Sequence, residues 1–259
     1  MSLNLIAHPS VFCAALLSLV SFAVSADSHE TSAAKASTVL ITGANRGLGL
    51  EFARQYAADG WQVIGTARSP ERADELNALD VEVLQLDVTN QASVDALAGA
   101  LANRPLDMLI NNAGIFPRVR KLEEVSIDDY LRTLDVNTAG PMRVTMALIS
   151  NLRAGAGKKI INITSGLGSI AGNTRGTYYG YRESKAALNM FTRTLAAELG
   201  PEGFIALAIH PGWVATDMGG PNANLQPPES VSAMRRVIDR LTAEDNGTYK
   251  SYQGEPVDW

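Results

Sequence analysis

The chain has almost none of the residues that build disulfide frameworks or metal sites. Its 259 residues include one cysteine, Cys13, which lies in an apolar stretch near the N-terminus. A disulfide within the chain and a cysteine-based zinc site are therefore excluded. Two of the three histidines, His8 and His29, are also N-terminal, so His210 stands alone in the rest of the sequence. A single histidine without cysteine predicts no metal site.

Clusters of basic residues are missing too. Lys and Arg total 22 against 27 Asp and Glu, a formal net charge of −5, and the basic residues form no run. This pattern predicts no nucleic-acid partner, because such proteins usually carry a basic patch. With 46% hydrophobic and 19% charged residues, the composition is typical of a globular domain with one large core.

The first 37 residues differ from the rest. Residues 11–24, "VFCAALLSLVSFAV", are apolar, too short to span a bilayer easily but typical of a signal-peptide core. A small-residue cleavage site follows at Ala26, and a polar linker comes next. We expect a signal-like segment and linker over 1–37, which implies export, periplasmic in a bacterium, or a membrane tether if uncleaved. The first ten residues lack Lys and Arg, which keeps an over-extended start of a cytoplasmic protein as the alternative.

From Thr38 onward, short β-branched or apolar runs alternate with helical patterns. Strict alternation predicts a parallel sheet covered by helices on both faces, a doubly wound α/β Rossmann fold with three αβα layers and a single domain over 38–259. The predicted strands are 38–42, 61–67, 81–88, 106–114, 158–165 and 204–210.

Two further segments are predicted from local signals. "SIDD" at Ser126 has capping-box spacing and predicts the start of a long helix that runs towards Asn151. Residues 211–228 are rich in Gly, Pro and Asn and predict a long loop that could close over a ligand. In doubly wound sheets, ligands bind beyond the carboxyl ends of the strands, so residues that follow strands are the candidates for a site.

The first predicted strand leads into a glycine-rich turn and then a helix, "ITGANRGLGLEFARQYAADG". Gly43, Gly47 and Gly49 would let the backbone turn tightly and approach a pyrophosphate, and the helix start would offer free N–H groups. Three glycines alone are weak evidence, but their position between strand and helix in the first βα unit favours dinucleotide binding.

Charge indicates which dinucleotide binds. A carboxylate at the end of the second strand would accept a hydrogen bond from a free ribose 2′-hydroxyl and repel a 2′-phosphate. Arg68 stands there instead, and Arg46 lies in the glycine turn. Two guanidinium groups suit a phosphate, which favours NADP(H) over NAD(H). The alternative is that both arginines are solvated surface residues.

Polar residues also end the third and fourth strands. Asp87 is placed to meet an adenine ring or to cap the next helix. Asn111, in "NNAG", could contact the cofactor or tie neighbouring strands together. Neither residue is diagnostic alone.

Five motifs together resemble the short-chain dehydrogenase/reductases. They are the glycine turn, "NNAG", "NITS", Y-x-x-x-K at Tyr181–Lys185 and "HPGWVATDM", in that family's order, and the match extends from about Thr38 to the C-terminus. "YRESKAALNM" and the tail "GEPVDW" look most like the C-factor and sniffer-type carbonyl reductases.

The resemblance implies a role for each catalytic residue. Tyr181 would be the acid/base and Lys185 its activator, while Ser165 would hold the substrate oxygen and Asn137 would anchor a water chain to the lysine. Thr216 would contact the nicotinamide carboxamide. The cofactor contacts that the resemblance implies are Gly43, Asn45, Arg46, Gly47, Leu48, Gly49, Arg68, Asp87, Val88, Asn111, Ala113, Gly114, Tyr181, Lys185, Pro211, Gly212, Val214 and Thr216.

The serine assignment has a competitor. Ser165 precedes Tyr181 by sixteen residues, a few more than the family's commonest spacing, whereas Ser169 precedes it by twelve. Ser165 is preferred because it directly follows the predicted strand.

Spacing separates the three tyrosines in "TYYGYRESKAAL". Of Tyr178, Tyr179 and Tyr181, only Tyr181 has a lysine four residues later, on the same helix face and close enough to favour tyrosinate. Together with the arginines near the ribose, the resemblance implies an NADP-dependent reductase of a ketone, aldehyde or quinone. A dinucleotide-binding signalling protein with little turnover is the alternative, and the sequence leaves a monomer and a homodimer equally open.

Overall fold

The structure is a computed structural model, and it describes residues 1–4 and 36–259. Residues Ala36–Trp259 form one compact unit. The apolar stretch and cleavage site predicted near the N-terminus lie outside the described residues. Within the described part, no helix has the length and apolar character needed to cross a membrane.

Residues 36–259 contain a seven-stranded sheet in which all paired strands are parallel. The strand order is β3-β2-β1-β4-β5-β6-β7, so the chain winds outward in one direction, returns to the centre and winds in the other. The predicted doubly wound Rossmann fold is confirmed. The strands are β1 (Thr38–Ile41), β2 (Gln62–Ala67), β3 (Glu82–Gln85), β4 (Met108–Asn111), β5 (Lys159–Ile163), β6 (Ile205–His210) and β7 (Thr248–Ser251).

Helices cover both faces of the sheet and divide the core into two halves. One apolar cluster includes Phe52, Tyr56 and Met234, and the other includes Leu148, Leu188 and Phe204. The central strands are continuous apolar runs because both of their faces are buried. The helices are α1 (Gly47–Ala58), α2 (Asp74–Asn77), α3 (Gln91–Ala100), α4 (Ile127–Leu134), α5 (Gly140–Ala154), α6 (Tyr181–Leu199) and α7 (Pro227–Asp239).

The seventh strand was not predicted. Its sequence, TYKS, alternates between buried and half-buried residues and lacks the apolar run of the other strands. It lies at the edge of the sheet, where Thr248 pairs with Leu207 and Ser251 with His210. An edge strand buries less of its surface, and the apolar pattern that identifies a central strand is weaker there.

The predicted long helix after Ser126 exists but is interrupted. The Ser126 hydroxyl accepts a hydrogen bond from the Asp129 N–H, as the capping pattern predicted. Between α4 and α5, residues Asp135–Ala139 form a π-helical turn. Such turns have no simple sequence signature and often occur at functional sites. This one contains Asn137.

The loop after β6 ends slightly earlier than predicted. Residues 211–226 contain no helix or strand, apart from a single bridge between Val214 and Leu225. Pro227 and Pro228 were assigned to the loop but are the first residues of α7. Proline is favoured there because the first helical N–H groups have no intrahelical partner.

Candidate active site

A cleft of about 740 Å³ opens at the carboxyl ends of the strands. Strands β1 and β4 are neighbours in the sheet, and the winding direction reverses between them. The loops that follow these two strands therefore separate, which makes this the expected ligand crevice of a doubly wound sheet. The glycine turn lies on one side of the cleft, and Tyr181 and Lys185 lie on the other.

The glycine turn follows β1 and has the close backbone approaches that require glycine. Gly43 has φ +65°, and a Cβ there would lie 3.0 Å from the Ala113 Cα. A Cβ on Gly49 would lie 2.2 Å from the Gly43 carbonyl oxygen. Helix α1 then begins at Gly47 with no side-chain cap. Its first N–H groups therefore face the cleft as donors for an anion.

The two asparagines at the end of β4, Asn111 and Asn112, have different surroundings. The Asn111 amide is buried and donates to Asn162 Oδ1 at 2.9 Å, which ties β4 to β5. Its side chain lies between the sheet and α5, away from the cleft lining, and ties strands as one of the two expectations had it, while a contact of Asn111 with the cofactor stays a prediction. Asn112, which was not predicted, lines the cleft and donates to the Thr42 and Gly43 carbonyls at 2.9 and 3.1 Å.

The nucleotide end of the cleft is exposed and carries the two predicted arginines. Arg68 follows β2 and Arg46 precedes α1, and both line the cleft. Arg46 forms an ion pair with Asp217 at 3.1 Å, and its side chain is 68% exposed. Because an exposed pair of this kind is weak, Arg46 remains available to an anionic ligand.

Asp87 lines the cleft next to Arg68 but does not cap the following helix. Its carboxylate accepts hydrogen bonds from the Thr89 N–H and hydroxyl at 3.0 and 2.7 Å. Asn90 caps α3 instead. Partial burial raises the pKa of Asp87, but the Thr89 hydrogen bonds and the charges of Arg68 and Arg132 outweigh it and hold the pKa below its usual value.

Most of the predicted cofactor residues line this one cleft. Those that do are Gly43, Asn45, Arg46, Gly47, Leu48, Arg68, Asp87, Val88, Ala113, Gly114, Tyr181, Lys185, Pro211 and Thr216.

Besides Asn111, three predicted residues lie outside the cleft lining and shape the backbone instead. Gly49 packs beneath the glycine turn, as described above. Gly212 has φ +80°, and a Cβ there would lie 2.6 Å from the Leu225 side chain. Val214 is buried and forms the bridge with Leu225. Gly212 and Val214 therefore fix the backbone at the start of the 211–226 loop.

The catalytic candidates are held at the start of α6. Tyr181 is the first residue of this helix, and Lys185 lies one turn later. Both side chains are buried, and the Lys185 Nζ lies 5.9 Å from the centre of the Tyr181 ring. The ammonium group also donates to the Ile163 carbonyl at 3.0 Å, so one hydrogen bond to β5 fixes it beside the tyrosine.

Burial dominates the acidity of both groups. It raises the pKa of Tyr181, and a hydrogen bond with the Ser165 side chain acts in the opposite direction. It lowers the pKa of Lys185 to about 8. In the protein alone, removing the Tyr181 phenolate from water is the larger effect and raises the pKa, so stabilisation of tyrosinate by Lys185 stays a prediction.

Ser165 is the serine that lies beside Tyr181. It follows β5 and opens a short turn in which its hydroxyl oxygen accepts a hydrogen bond from the Leu167 N–H at 3.2 Å. Ser169 is buried, and its hydroxyl oxygen accepts a hydrogen bond from the Gly172 N–H at 2.9 Å. Of the two serines, Ser165 is therefore the one next to the Tyr181 hydroxyl, and its catalytic role stays a prediction.

Asn137 is fully buried, and its amide is used inside the protein. It donates to the Ile115 carbonyl at 2.9 Å and to the Ser184 hydroxyl at 3.0 Å, and it accepts from the Ile115 N–H at 2.8 Å. A water chain to Lys185 therefore receives no donor from this side chain. The amide instead joins the segment after β4 to helix α6.

Three contacts around the site were missed by the sequence analysis. The Tyr249 hydroxyl, on β7, donates to the Ser165 carbonyl at 2.6 Å. The Phe116 ring packs against Tyr181 and Tyr178, with ring centres 4.3 and 5.1 Å apart. Tyr178 is thus part of the aromatic wall beside Tyr181. The Tyr249 and Phe116 contacts join segments far apart in the chain, for which one sequence contains no signal.

The third missed contact involves the backbone just before Tyr181. Gly176, Thr177 and Tyr178 all have positive φ, at 64°, 65° and 57°. This conformation is costly for a β-branched residue such as Thr177. The Arg182 Nε donates to the Gly176 and Thr177 carbonyls at 3.0 Å each, and its Nη1 donates to the Leu167 carbonyl at 3.3 Å. One guanidinium group therefore joins the strained segment to the turn after Ser165.

Comparison with protein families agrees with this geometry. Residues 37–226 match the short chain dehydrogenase family. The chain is 48% identical to the C-signal protein of Myxococcus xanthus over 164 residues, which cover 63% of this chain and 99% of that protein. It is 36% identical to the 1-hydroxy-2-glutathionyl-2-methyl-3-butene dehydrogenase of a Rhodococcus species, over 86% of this chain and all of that one.

Solved structures show the same relationship. The carbonyl reductase Sniffer of D. melanogaster superposes with a TM-score of 0.80 at 36% identity, over 86% of this chain and all of that one. The NADPH-bound carbonyl reductase from chicken fatty liver superposes with a TM-score of 0.81 at 33% identity, over 86% and 99%. The resemblance inferred from the motifs is confirmed: the chain belongs to the short-chain dehydrogenase family of oxidoreductases.

Proposed function

We propose that this protein is an NADP(H)-dependent reductase of a ketone, aldehyde or quinone. The observation that carries the proposal is the position of Tyr181, buried at the cleft with the Ser165 side chain within hydrogen-bonding reach and Lys185 one helical turn away. Binding a dinucleotide requires neither the tyrosine nor the serine. A carbonyl reduction requires a proton donor and a group that stabilises the developing negative charge on oxygen.

The cleft fits a phosphorylated dinucleotide. The glycine turn leaves room that a Cβ would fill, and the uncapped start of α1 offers N–H donors to a pyrophosphate. Arg46 and Arg68 suit a ribose 2′-phosphate, and the residue directly after β2 is Arg68 where a carboxylate would repel that phosphate. The chicken carbonyl reductase is described as NADPH-bound, which supports the same choice. When bound, the reduced cofactor supplies the hydride that goes to the carbonyl carbon.

The chain's own residues supply the proton and stabilise the charge. Tyr181 donates its phenolic proton to the carbonyl oxygen, and its raised pKa keeps it protonated at neutral pH. The Ser165 hydroxyl donates a hydrogen bond to the same oxygen as negative charge develops. Lys185, with a pKa of about 8, is mainly cationic at neutral pH and stabilises the phenolate left on Tyr181.

The similarity to C-signal favours one alternative, a dinucleotide-binding signalling protein without turnover. The two functions differ in whether the intact Ser165, Tyr181 and Lys185 are used chemically. Purified protein should oxidise NADPH when mixed with one or more members of a panel of quinones, aldehydes and ketones. Tight NADPH binding with no oxidation across the panel would contradict the reductase and support the alternative.

A further inference from the structure

The segment after β4 carries two arginines to the edge of the catalytic end of the cleft. The Arg118 guanidinium carbon lies 5.9 Å from the centre of the Phe116 ring, which is itself 4.3 Å from the Tyr181 ring. The guanidinium therefore lies within about 10 Å of the reacting tyrosine. Its Nη2 donates to the carbonyl of Met218, a cleft-lining residue, at 2.8 Å. Arg118 thus bridges two sides of the entrance.

Arg120 is held in a similar way. Its guanidinium carbon lies 5.6 Å from the centre of the Tyr178 ring, and its Nη2 donates to the Tyr178 hydroxyl at 3.4 Å. Tyr178 in turn packs against Phe116. Both positive charges therefore rest on aromatic side chains of the wall that leads to Tyr181, a favourable arrangement for a guanidinium group.

Neither guanidinium group has a carboxylate within ion-pair distance among the described residues. Six other arginines do form such pairs, among them Arg104 with Glu82 and Arg153 with Glu202. Glu124 is close in sequence, but its carboxylate accepts hydrogen bonds from the backbone N–H groups of Arg120 and Lys121.

Each guanidinium group also keeps most of its donors. A guanidinium has five N–H donors, and the structure records one side-chain hydrogen bond for Arg118 and one for Arg120. The remaining donors, on a planar group with a fixed orientation, match the two oxygens of a carboxylate. The phosphate-binding features described above, the glycine turn, Arg46 and Arg68, belong to other loops of the cleft.

We infer that the substrate is an anionic carbonyl compound whose carboxylate, or a group of the same charge and shape, binds Arg118 with support from Arg120. This inference rests on the proposed reductase function and adds the substrate class. The carbonyl end would reach Tyr181 and Ser165 along the aromatic wall, while the anionic end stays at the rim.

Two aldehydes that carry a charged or a neutral group at the same ring position test the inference. NADPH oxidation would be measured with 4-carboxybenzaldehyde and with its neutral methyl ester, methyl 4-formylbenzoate. A charged hydrogen bond to a carboxylate corresponds to about a tenfold effect or more, so kcat/KM should be about tenfold higher for the acid. The preference should fall as salt concentration rises, because the arginines are exposed.

Substitutions identify the residues responsible. Arg118→Met should lower kcat/KM for the acid about tenfold and leave the ester within twofold; Arg120→Met should act in the same direction but less. Arg240→Met is the matched control, since Arg240 is exposed and lines a separate cavity with Lys250 and Tyr252. Equal losses for acid and ester, or a raised KM for NADPH in Arg118→Met, would overturn the inference.

Binding measurements separate this inference from the proposed function. Titration calorimetry with NADP⁺ present would compare 4-(hydroxymethyl)benzoate with its methyl ester. Tighter binding of the acid that Arg118→Met removes would support the anion site even if no aldehyde is reduced. Reduction of the ester with no preference for the acid in either assay would refute the anion site while leaving the reductase intact.

Discussion

The two ends of the cleft are built in opposite ways. The nucleotide end consists mainly of residues close together in sequence, from Gly43 to Arg68, and its two arginines, Arg46 and Arg68, are exposed. The catalytic end joins β5, α6, β7 and the π turn between α4 and α5, and its polar groups are buried and hydrogen-bonded to one another. Substitutions at the first end should therefore alter which ligand binds. Substitutions at the catalytic end should alter the rate of turnover and the stability of the fold.

Tyr181→Phe should separate the two ends most strongly, because it should reduce turnover without weakening NADPH binding. The variant keeps the ring that packs against Phe116 but loses the proton donor, so turnover should fall about 1000-fold, within the range for a general acid. The dissociation constant for NADPH should change less than about threefold, because the nucleotide end is untouched. Steady-state kinetics and fluorescence titration with NADPH measure the two effects.

Tyr178→Phe is the matched control for that variant. It removes a hydroxyl from the same aromatic wall, at a residue that is not the first of α6 and is further from Lys185 in sequence. It should keep turnover within a few-fold of the parent protein. Equal losses in the two variants would mean that the proton donor has been assigned wrongly.

At the nucleotide end, Arg68→Asp should reverse the cofactor preference. A carboxylate after β2 repels a 2′-phosphate and accepts a hydrogen bond from a 2′-hydroxyl. The KM for NADPH should rise about 100-fold, as expected for loss of a charged hydrogen bond with added repulsion, while the KM for NADH falls and kcat changes little. A large drop in kcat with both cofactors would show that the two ends are not independent.

Lys185→Met should lose activity and yet gain stability at neutral pH. Burial lowers the pKa of Lys185 from 10.5 to about 8, so below pH 8 the folded protein holds a charge that burial disfavours. After allowance for the lost hydrogen bond to Ile163, the variant should be more stable at pH 7 by on the order of 2 kcal/mol.

The pH dependence of the stability gained in Lys185→Met tests whether the buried charge of Lys185 causes it. Between about pH 8 and 10.5 the unfolded chain still holds the lysine proton that the folded protein has lost. Raising the pH therefore stabilises the parent protein, and the advantage of Lys185→Met should disappear across this window. Denaturant unfolding at several pH values measures it, and a gain that stays constant to pH 10.5 would exclude the charge as its source.

The smallest expected effect is at Arg182, which holds the strained backbone before Tyr181. Arg182→Met should lower kcat about tenfold through the loss of charged hydrogen bonds to this segment. The KM for NADPH should be unchanged. Arg182→Lys should recover part of kcat, because one ammonium can still bond to a carbonyl there. Arg153→Met, which breaks a surface ion pair, is the control and should have full activity.

The sequence was sufficient for the parts of the molecule that depend on local patterns. Buried strands read as apolar runs, the glycine turn has its own spacing, and Tyr181 differs from its neighbours by the lysine four residues later. Each of these signals lies within a few consecutive residues. The family resemblance then supplied Ser165, which spacing alone did not separate from Ser169.

The sequence could not predict contacts between segments that lie far apart in the chain. Asn111 and Asn112 are adjacent and chemically identical, yet alternation along β4 sends one into the sheet layer and the other to the cleft. The acidity of Tyr181 depends on burial by several elements, so the nearby lysine was a poor guide to its pKa. The polar edge strand β7 and the π turn at Asn137 lack a periodic pattern altogether.

The hydrogen bond from Tyr249 to the Ser165 carbonyl has a consequence for the order in which the protein matures. It joins residues 84 positions apart, and its donor belongs to the last strand of the sheet. A growing chain on the ribosome therefore completes the loops of the nucleotide end before it can secure the serine. The group that holds the Ser165 backbone is therefore among the last parts of the sheet to be synthesised.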